Sequence, residues 1–194
     1  MDINKESLFH NGLKMDKKFN YALEYLLHGL NVANLGLVVA EELNLNEIET
    51  HLLYYGGMFH DLGKSLISED ILFKPGRPTD DEWETIKLHP YYSSILVDNF
   101  ITYNVDKKNR LLFRYLKNRL PQVVLFHHEN VDGSGYPVGL KGSEIPTLSK
   151  ILRIIDIFDS LLADRIYRKR SYTIPEAISI LDRDCENSII DKKL

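Results

Sequence analysis

The stretch Phe19–Leu45, FNYALEYLLHGLNVANLGLVVAEELNL, decides the fold class. Its apolar residues return at three- and four-residue intervals, through Leu23, Leu26, Leu27, Leu30, Ala33, Leu37, Ala40 and Leu43. That is the period of a helix with one buried face. Asn46 follows as an N-cap, with Glu49 three residues on completing a capping-box pair, so a second helix carries Ile48, Leu52, Leu53 and Tyr55 towards His60-Asp61. Pro75, Gly76 and Pro78 break the chain, and Thr79 caps a helix read through Trp83, Ile86 and Ile95. A further helix spans about Arg110 to His128, with Pro121 expected to kink or restart it. Gly133, Gly135, Pro137, Gly139, Gly142 and Pro146 then make a rigid, turn-rich loop. The helical period resumes through Ile151, Ile154, Ile155, Phe158 and Leu162. Alternating strand-like patterns are scarce, and the fold class is all-α.

The 194 residues are 44% hydrophobic and 27% charged, ordinary for one globular domain with its own core. A net charge of -4 argues against a broad basic face for a nucleic-acid polymer or a membrane. The single cysteine, Cys185, cannot close an internal disulfide, fits a reducing cytoplasm and excludes a thiolate-rich metal site. No stretch is read as reaching the roughly 20 apolar residues of a membrane span. Residues 1–18 form a polar lead-in and residues 19–194 the domain. The end at Asp191-Lys192-Lys193-Leu194, straight after an apolar pair, reads as a domain trimmed at its C-terminus or a fragment of a longer protein.

Five of the seven histidines are placed suggestively. His28 sits mid-helix with Glu24 one turn before it on the same face. His60 and Asp61 are adjacent in an apolar, glycine-bearing stretch; His89 precedes a proline; His127 and His128 close a helix ahead of Glu129. Asp156 lies within an apolar run, where a carboxylate is costly without a partner. Singly, each histidine is better explained as a hydrogen-bonded core residue than as a metal ligand. Together they suggest a metal site built in a helical bundle. Imidazole and carboxylate without thiolate suit iron, manganese, zinc or nickel better than structural zinc. Eight candidates, Glu24, His28, His60, Asp61, His89, His127, His128 and Asp156, are too many for one octahedral ion with open positions. Two or three ions sharing Asp61 as a bridge use them economically, and paired ions suit phosphoryl chemistry.

His60-Asp61, with a histidine before it and an aspartate after it, resembles the HD phosphohydrolase superfamily. The string from His127-His128-Glu129 through Asp132-Gly133-Ser134-Gly135-Tyr136-Pro137 to Ile145-Pro146 resembles its HD-GYP family. So do His60-Asp61-Leu62-Gly63-Lys64, Lys74-Pro75-Gly76, Glu82-Trp83 and His89-Pro90, and the likeness runs from about Ala22 to Leu181. It implies a helical bundle of the HD-domain type with the glycine-rich loop beside a multi-metal site. It also implies a metal-dependent phosphodiesterase that cleaves cyclic di-GMP to pGpG or GMP, with cyclic GMP-AMP as a related substrate. Iron or manganese is the expected metal, with nickel, cobalt or zinc as alternatives. A regulatory protein or a fused sensory domain is the expected protein partner. The alternatives are a cyclic-dinucleotide receptor without turnover and another HD nucleotide phosphohydrolase.

By the same resemblance, His28, His60, Asp61 and Asp156 match the superfamily's metal ligands, and His89, His127 and His128 those added in the GYP branch. Glu24 matches the glutamate of members with a third metal. Lys64 matches a lysine beside the metals, Tyr136 the tyrosine near bound nucleotide, and Arg165 and Arg168 basic residues that contact phosphates or bases. Asp159 is a nucleotide contact or an acceptor for a ligand imidazole, and Glu129 and Asp132 are further candidates for the second role. Lys64 is equally well read as a solvated lysine, and Met58 and Trp83 as core residues. The chain departs from the family pattern at Asn130, Val131 and Ser93, and at Leu66 and Ser68 beyond Lys64.

Overall fold

A computed structural model describes residues 17–104, 110–163 and 170–194. They form α1 (Lys17–Glu42), α2 (Glu47–Phe59), a 3-10 turn (Leu62–Leu66), α3 (Glu69–Leu72), α4 (Asp80–Ile86), α5 (His89–Asn104), α6 (Arg110–Leu125), a second 3-10 turn (Gly142–Glu144), α7 (Thr147–Leu162) and α8 (Ile174–Glu186). No strand occurs among the described residues, as the periodicity requires.

Local sequence sets most of the boundaries. Asn46 and Glu49 close the capping box of α2, and Thr79 and Glu82 that of α4. The helix expected from Thr79 to Ile95 is two helices. α4 stops at Ile86 and α5 begins at His89-Pro90. A proline has no N–H to donate, which costs nothing in a first turn and would break the ladder of a continuous helix. Pro121, in contrast, lies inside α6, and the helix neither ends nor restarts there.

The core is shared by α1, α2, α5, α6 and α7, around Val32, Leu52, Leu53, Val97, Val124 and Leu152. α1 and α2 cross on two glycines. A Cβ on Gly57 would lie 2.8 Å from the Ala33 backbone nitrogen, and one on Gly29 2.9 Å from the Met58 carbonyl oxygen. This close approach brings His28 of α1 beside His60, with ring centroids 5.1 Å apart. The first helix also corrects one expectation. Leu23–Glu42 is a twenty-residue stretch long and apolar enough, by length and composition, to cross a bilayer. In this fold Val32, Ala33 and Ala40 of that stretch are buried against the core.

Candidate metal centre

Three ring nitrogens and one carboxylate oxygen meet where the ends of α2 and α6 face the start of α5. His60, immediately after α2, His89 at the start of α5 and His127 just past α6 are all but fully buried. Each turns its Nδ1 back on its own chain. His60 donates to the Gly57 carbonyl at 2.8 Å, His89 to Ile86 at 2.8 Å and His127 to Val124 at 2.6 Å. A ring that donates from Nδ1 carries its lone pair on Nε2. The three Nε2 atoms, and Asp61 Oδ1, are buried without a hydrogen-bond partner. His89 Nε2 does come within 3.2 Å of Asp61 Oδ1, but without hydrogen-bond geometry. Buried polar atoms are otherwise nearly always paired. Four orphans converging in one place, three with lone pairs pre-aimed, are what a cation would satisfy.

The donors fall into two groups, Asp61 with His89, His127 and His128, and His28 with His60 and Asp156; within each, ligand atoms lie within 4.8 Å of one another. Asp61 faces both. Its Oδ1 approaches His89, and its Oδ2 lies 3.5 Å from His60 Nε2 and 3.8 Å from His28 Nε2. His28 Nε2 is 3.1 Å from Asp156 Oδ1, while its Nδ1 donates to Asp159 Oδ2 at 2.6 Å. The donor set is imidazole and carboxylate throughout, and it fits divalent transition-metal ions.

Electrostatics follow from burial and pairing. Burial would lower the pKa of His28, but hydrogen bonds to Asp156 and Asp159 outweigh it and raise the value to about 9. Burial pushes His89, His127 and His128 down, so those rings are neutral, and His89 and His127 present an Nε2 lone pair able to bind a cation. Burial opposes ionisation of Asp61 and Asp156 too. Lys64, His60 and His89 nevertheless hold Asp61 well below the usual carboxylate range, and His28 and His60 do the same for Asp156.

His128 differs from the other rings. Its Nδ1 accepts from Arg153 at 2.9 Å, and Arg153 also donates to Asn130 Oδ1 at 3.1 Å. Asn130, one of the departures from the family pattern, is thus part of the bracket that holds this histidine. Tyr136 stacks on His128, centroids 4.7 Å apart, and meets Trp83 edge-on at 6.0 Å. Trp83 is 43% exposed, so it is a flank of the tyrosine and not the core residue expected. Lys64 is on the 3-10 turn and not on a continuing helix, yet its Nζ reaches Asp61 Oδ2 at 2.6 Å.

The carboxylates beside the ligands divide their work differently from the sequence reading. Asp159 does hold an imidazole. Glu129 instead accepts the backbone N–H groups of Val138, Gly139 and Leu140, at 2.8 to 3.1 Å, and pins the glycine-rich loop from inside. Asp132 accepts from the Ser134 backbone and hydroxyl in a local turn. Glu24 is exposed and belongs to neither donor group. Arg165 and Arg168 lie outside the described residues. The role of Ser93, whose hydroxyl accepts the Gly63 N–H at 2.6 Å, had no signal in the sequence.

Residues 8–194 match the family model described as HD domain. The chain is 36% identical over 148 residues to the cyclic di-GMP phosphodiesterase response regulator RpfG of Xanthomonas campestris pv. campestris, covering 74% of this chain and 35% of that protein. It is 32% identical over 167 residues to 3'3'-cGAMP-specific phosphodiesterase 1 of Vibrio cholerae serotype O1, covering 86% of this chain and 35% of that one. It spans about a third of the length of these curated relatives. Among solved structures, Bd1817, a HDG"Y"P protein from Bdellovibrio bacteriovorus, matches with a TM-score of 0.61 at 18% identity, over 86% of this chain and 48% of that chain. That likeness is one of fold.

Proposed function

The chain belongs to the HD domain family, as its His60-Asp61 motif and its HD-GYP resemblance implied, and we propose that it is a metal-dependent phosphodiesterase acting on cyclic di-GMP, giving pGpG or GMP. The observation that carries this reading is the set of buried, unpartnered donor atoms on His60, Asp61, His89 and His127. In our reading His28, His60 and Asp156 would hold one ion and His89 and His127 a second, Asp61 offering an oxygen to each group, and His128 would join the second group through Nδ1 on giving up its bond from Arg153. Divalent ions there supply Lewis acidity, which polarises a phosphodiester and makes water nucleophilic near neutral pH. The nitrogen-and-oxygen donor set suits iron, manganese, nickel, cobalt or zinc, and the family resemblance puts iron or manganese first.

The chain's own residues do the rest. Asp159 fixes His28 so that Nε2 faces the cations. Lys64 carries its charge beside Asp61, within reach of a phosphate at the same place; burial lowers its pKa, but Asp61, Tyr25 and Asp156 together raise it above the ordinary value, so it stays protonated. Tyr136, clamped between His128 and Trp83, offers an aromatic edge to a base. Arg165 and Arg168 serve the substrate's phosphates or bases, as the family resemblance implies. The protein works in a bacterial cytoplasm, under a regulatory protein or a sensory domain.

The 3'3'-cyclic GMP-AMP activity of one relative makes that dinucleotide the second candidate substrate. The test is to load the protein anaerobically with iron or manganese and supply cyclic di-GMP, 3'3'-cyclic GMP-AMP and pppGpp separately. Linear product from a cyclic dinucleotide alone supports the reading. Tight binding without product makes the chain a receptor, and turnover of pppGpp alone makes it a different nucleotide hydrolase.

A further inference from the structure

A cavity of about 530 Å³ opens on the Asp61–Lys64 flank of the site, and its size is that of a small-ligand pocket. Its lining is mostly apolar, with Tyr25, Phe59 and Phe73 as its aromatic rings and Asp61, Lys64 and Glu69 as its charged residues. Tyr25 and Phe73 are in contact, with ring centroids 6.5 Å apart and planes tilted by 35°. The Lys64 ammonium lies 5.3 Å over the Tyr25 ring, so a cation sits between the carboxylate of the site and the aromatic wall. Tyr136 does not line this cavity; it packs on His128 of the other donor group.

Resting on the function proposed above, we infer that this cavity receives one purine base of the cyclic dinucleotide, stacked on Phe73, while Lys64 neutralises the phosphate attached to that nucleoside. An ammonium held over one aromatic ring with a second ring beside it suits a phosphate joined to a base, whereas a phosphate ester without a base would need only the ammonium. Aromatic rings accept any base through its π face. Because Lys64 already occupies one face of Tyr25, Phe73 is the ring that takes the base and Tyr25 braces it. A cyclic dinucleotide has two bases, and the site then has two aromatic contacts for them, the face of Phe73 on one flank and the edge of Tyr136 on the other.

The test uses Phe73→Leu, which removes the ring but keeps apolar bulk, and Phe73→Tyr, which restores a ring. Manganese-loaded wild type and both variants are titrated calorimetrically with cyclic di-GMP and, separately, with inorganic phosphate. The expected result for Phe73→Leu is a loss of cyclic di-GMP affinity between roughly 5-fold and 150-fold, with phosphate affinity unchanged and cyclic di-GMP affinity recovered in Phe73→Tyr. Unchanged cyclic di-GMP affinity in Phe73→Leu overturns the inference, and so does an equal loss for both ligands or a wild type that binds phosphate but not cyclic di-GMP. A wild type that binds cyclic di-GMP without cleaving it refutes the catalytic reading and leaves the base pocket intact.

Discussion

The backbone N–H of Gly63 donates to the hydroxyl of Ser93 at 2.6 Å, tying the 3-10 turn after Asp61 to the first turns of α5. The fit is tight, because a Cβ on Gly63 would stand 2.2 Å from the His89 carbonyl oxygen and 2.5 Å from the Ser93 nitrogen. His60 and Asp61 on one side and His89 on the other are held in register by this contact. Gly63→Ala should therefore push the turn off α5, lowering stability by about 1–3 kcal/mol and weakening metal binding together. Thermal denaturation and metal analysis of the purified variant check both effects, and a variant with wild-type metal content would show that the contact does not position the ligands.

Asp61 and His60 should differ in what they cost. Asp61 turns an oxygen to each donor group, and His60 belongs to one. Asp61→Ala is expected to lose most of both ions and nearly all activity. His60→Ala should lose chiefly the ion shared with His28 and Asp156. Far-ultraviolet circular dichroism should keep its helical signature in both, since the core of Val32, Leu52, Val124 and Leu152 is untouched. Full metal content in both variants would remove the basis of the site.

Asp159 acts through His28, so Asp159→Asn should reduce metal affinity by about 10- to 100-fold. The loss should be recoverable by raising the manganese concentration, with kcat near wild type once the site is filled. A defect confined to the Michaelis constant at saturating metal would instead mark Asp159 as a substrate contact.

Glu129 is 2% exposed and receives three backbone N–H groups of the loop that carries Tyr136. Glu129→Ala leaves those donors without a partner, and each such loss costs about 1–3 kcal/mol. The variant is expected to unfold at least 2 kcal/mol more easily in urea, and its loop should become the first point of limited proteolysis. Glu129→Gln, which keeps an acceptor, should recover part of the stability.

Glu24 is exposed and stands outside both donor groups, which points to two ions per chain. Glu24→Gln should leave metal stoichiometry unchanged by elemental analysis of anaerobic protein. A fall of one ion per chain would restore the third site that the family resemblance implies for this glutamate.

Much of the fold was legible in local chemistry. The three- and four-residue period gave the helices of α1 and α7, and Asn46 and Thr79 gave two of their starts with the correct capping partners. The break before His89 was misread because Ile86 and Ile95 share one period, which says nothing of the missing proline N–H between them. Trp83 was misread for a similar reason. An apolar ring is assigned to the core by composition, but its exposure depends on how far neighbouring segments cover it, and here Tyr136 meets it edge-on while 43% of it stays exposed.

The sequence by itself determined the class of fold and the family and narrowed the residues that could bind a cation to a short set, because those follow from residue types and their order along the chain. Only the tertiary structure decided which donors share a group, that Asp61 stands between two of them, and that Glu129 serves a loop while Asp159 serves a histidine. Those assignments depend on distances between residues far apart in the chain. Such distances are set by how closely helices can pack, here by Gly29 against Gly57 and its neighbour Met58, and by Gly63 against Ser93. A list of residue types carries no measure of that approach.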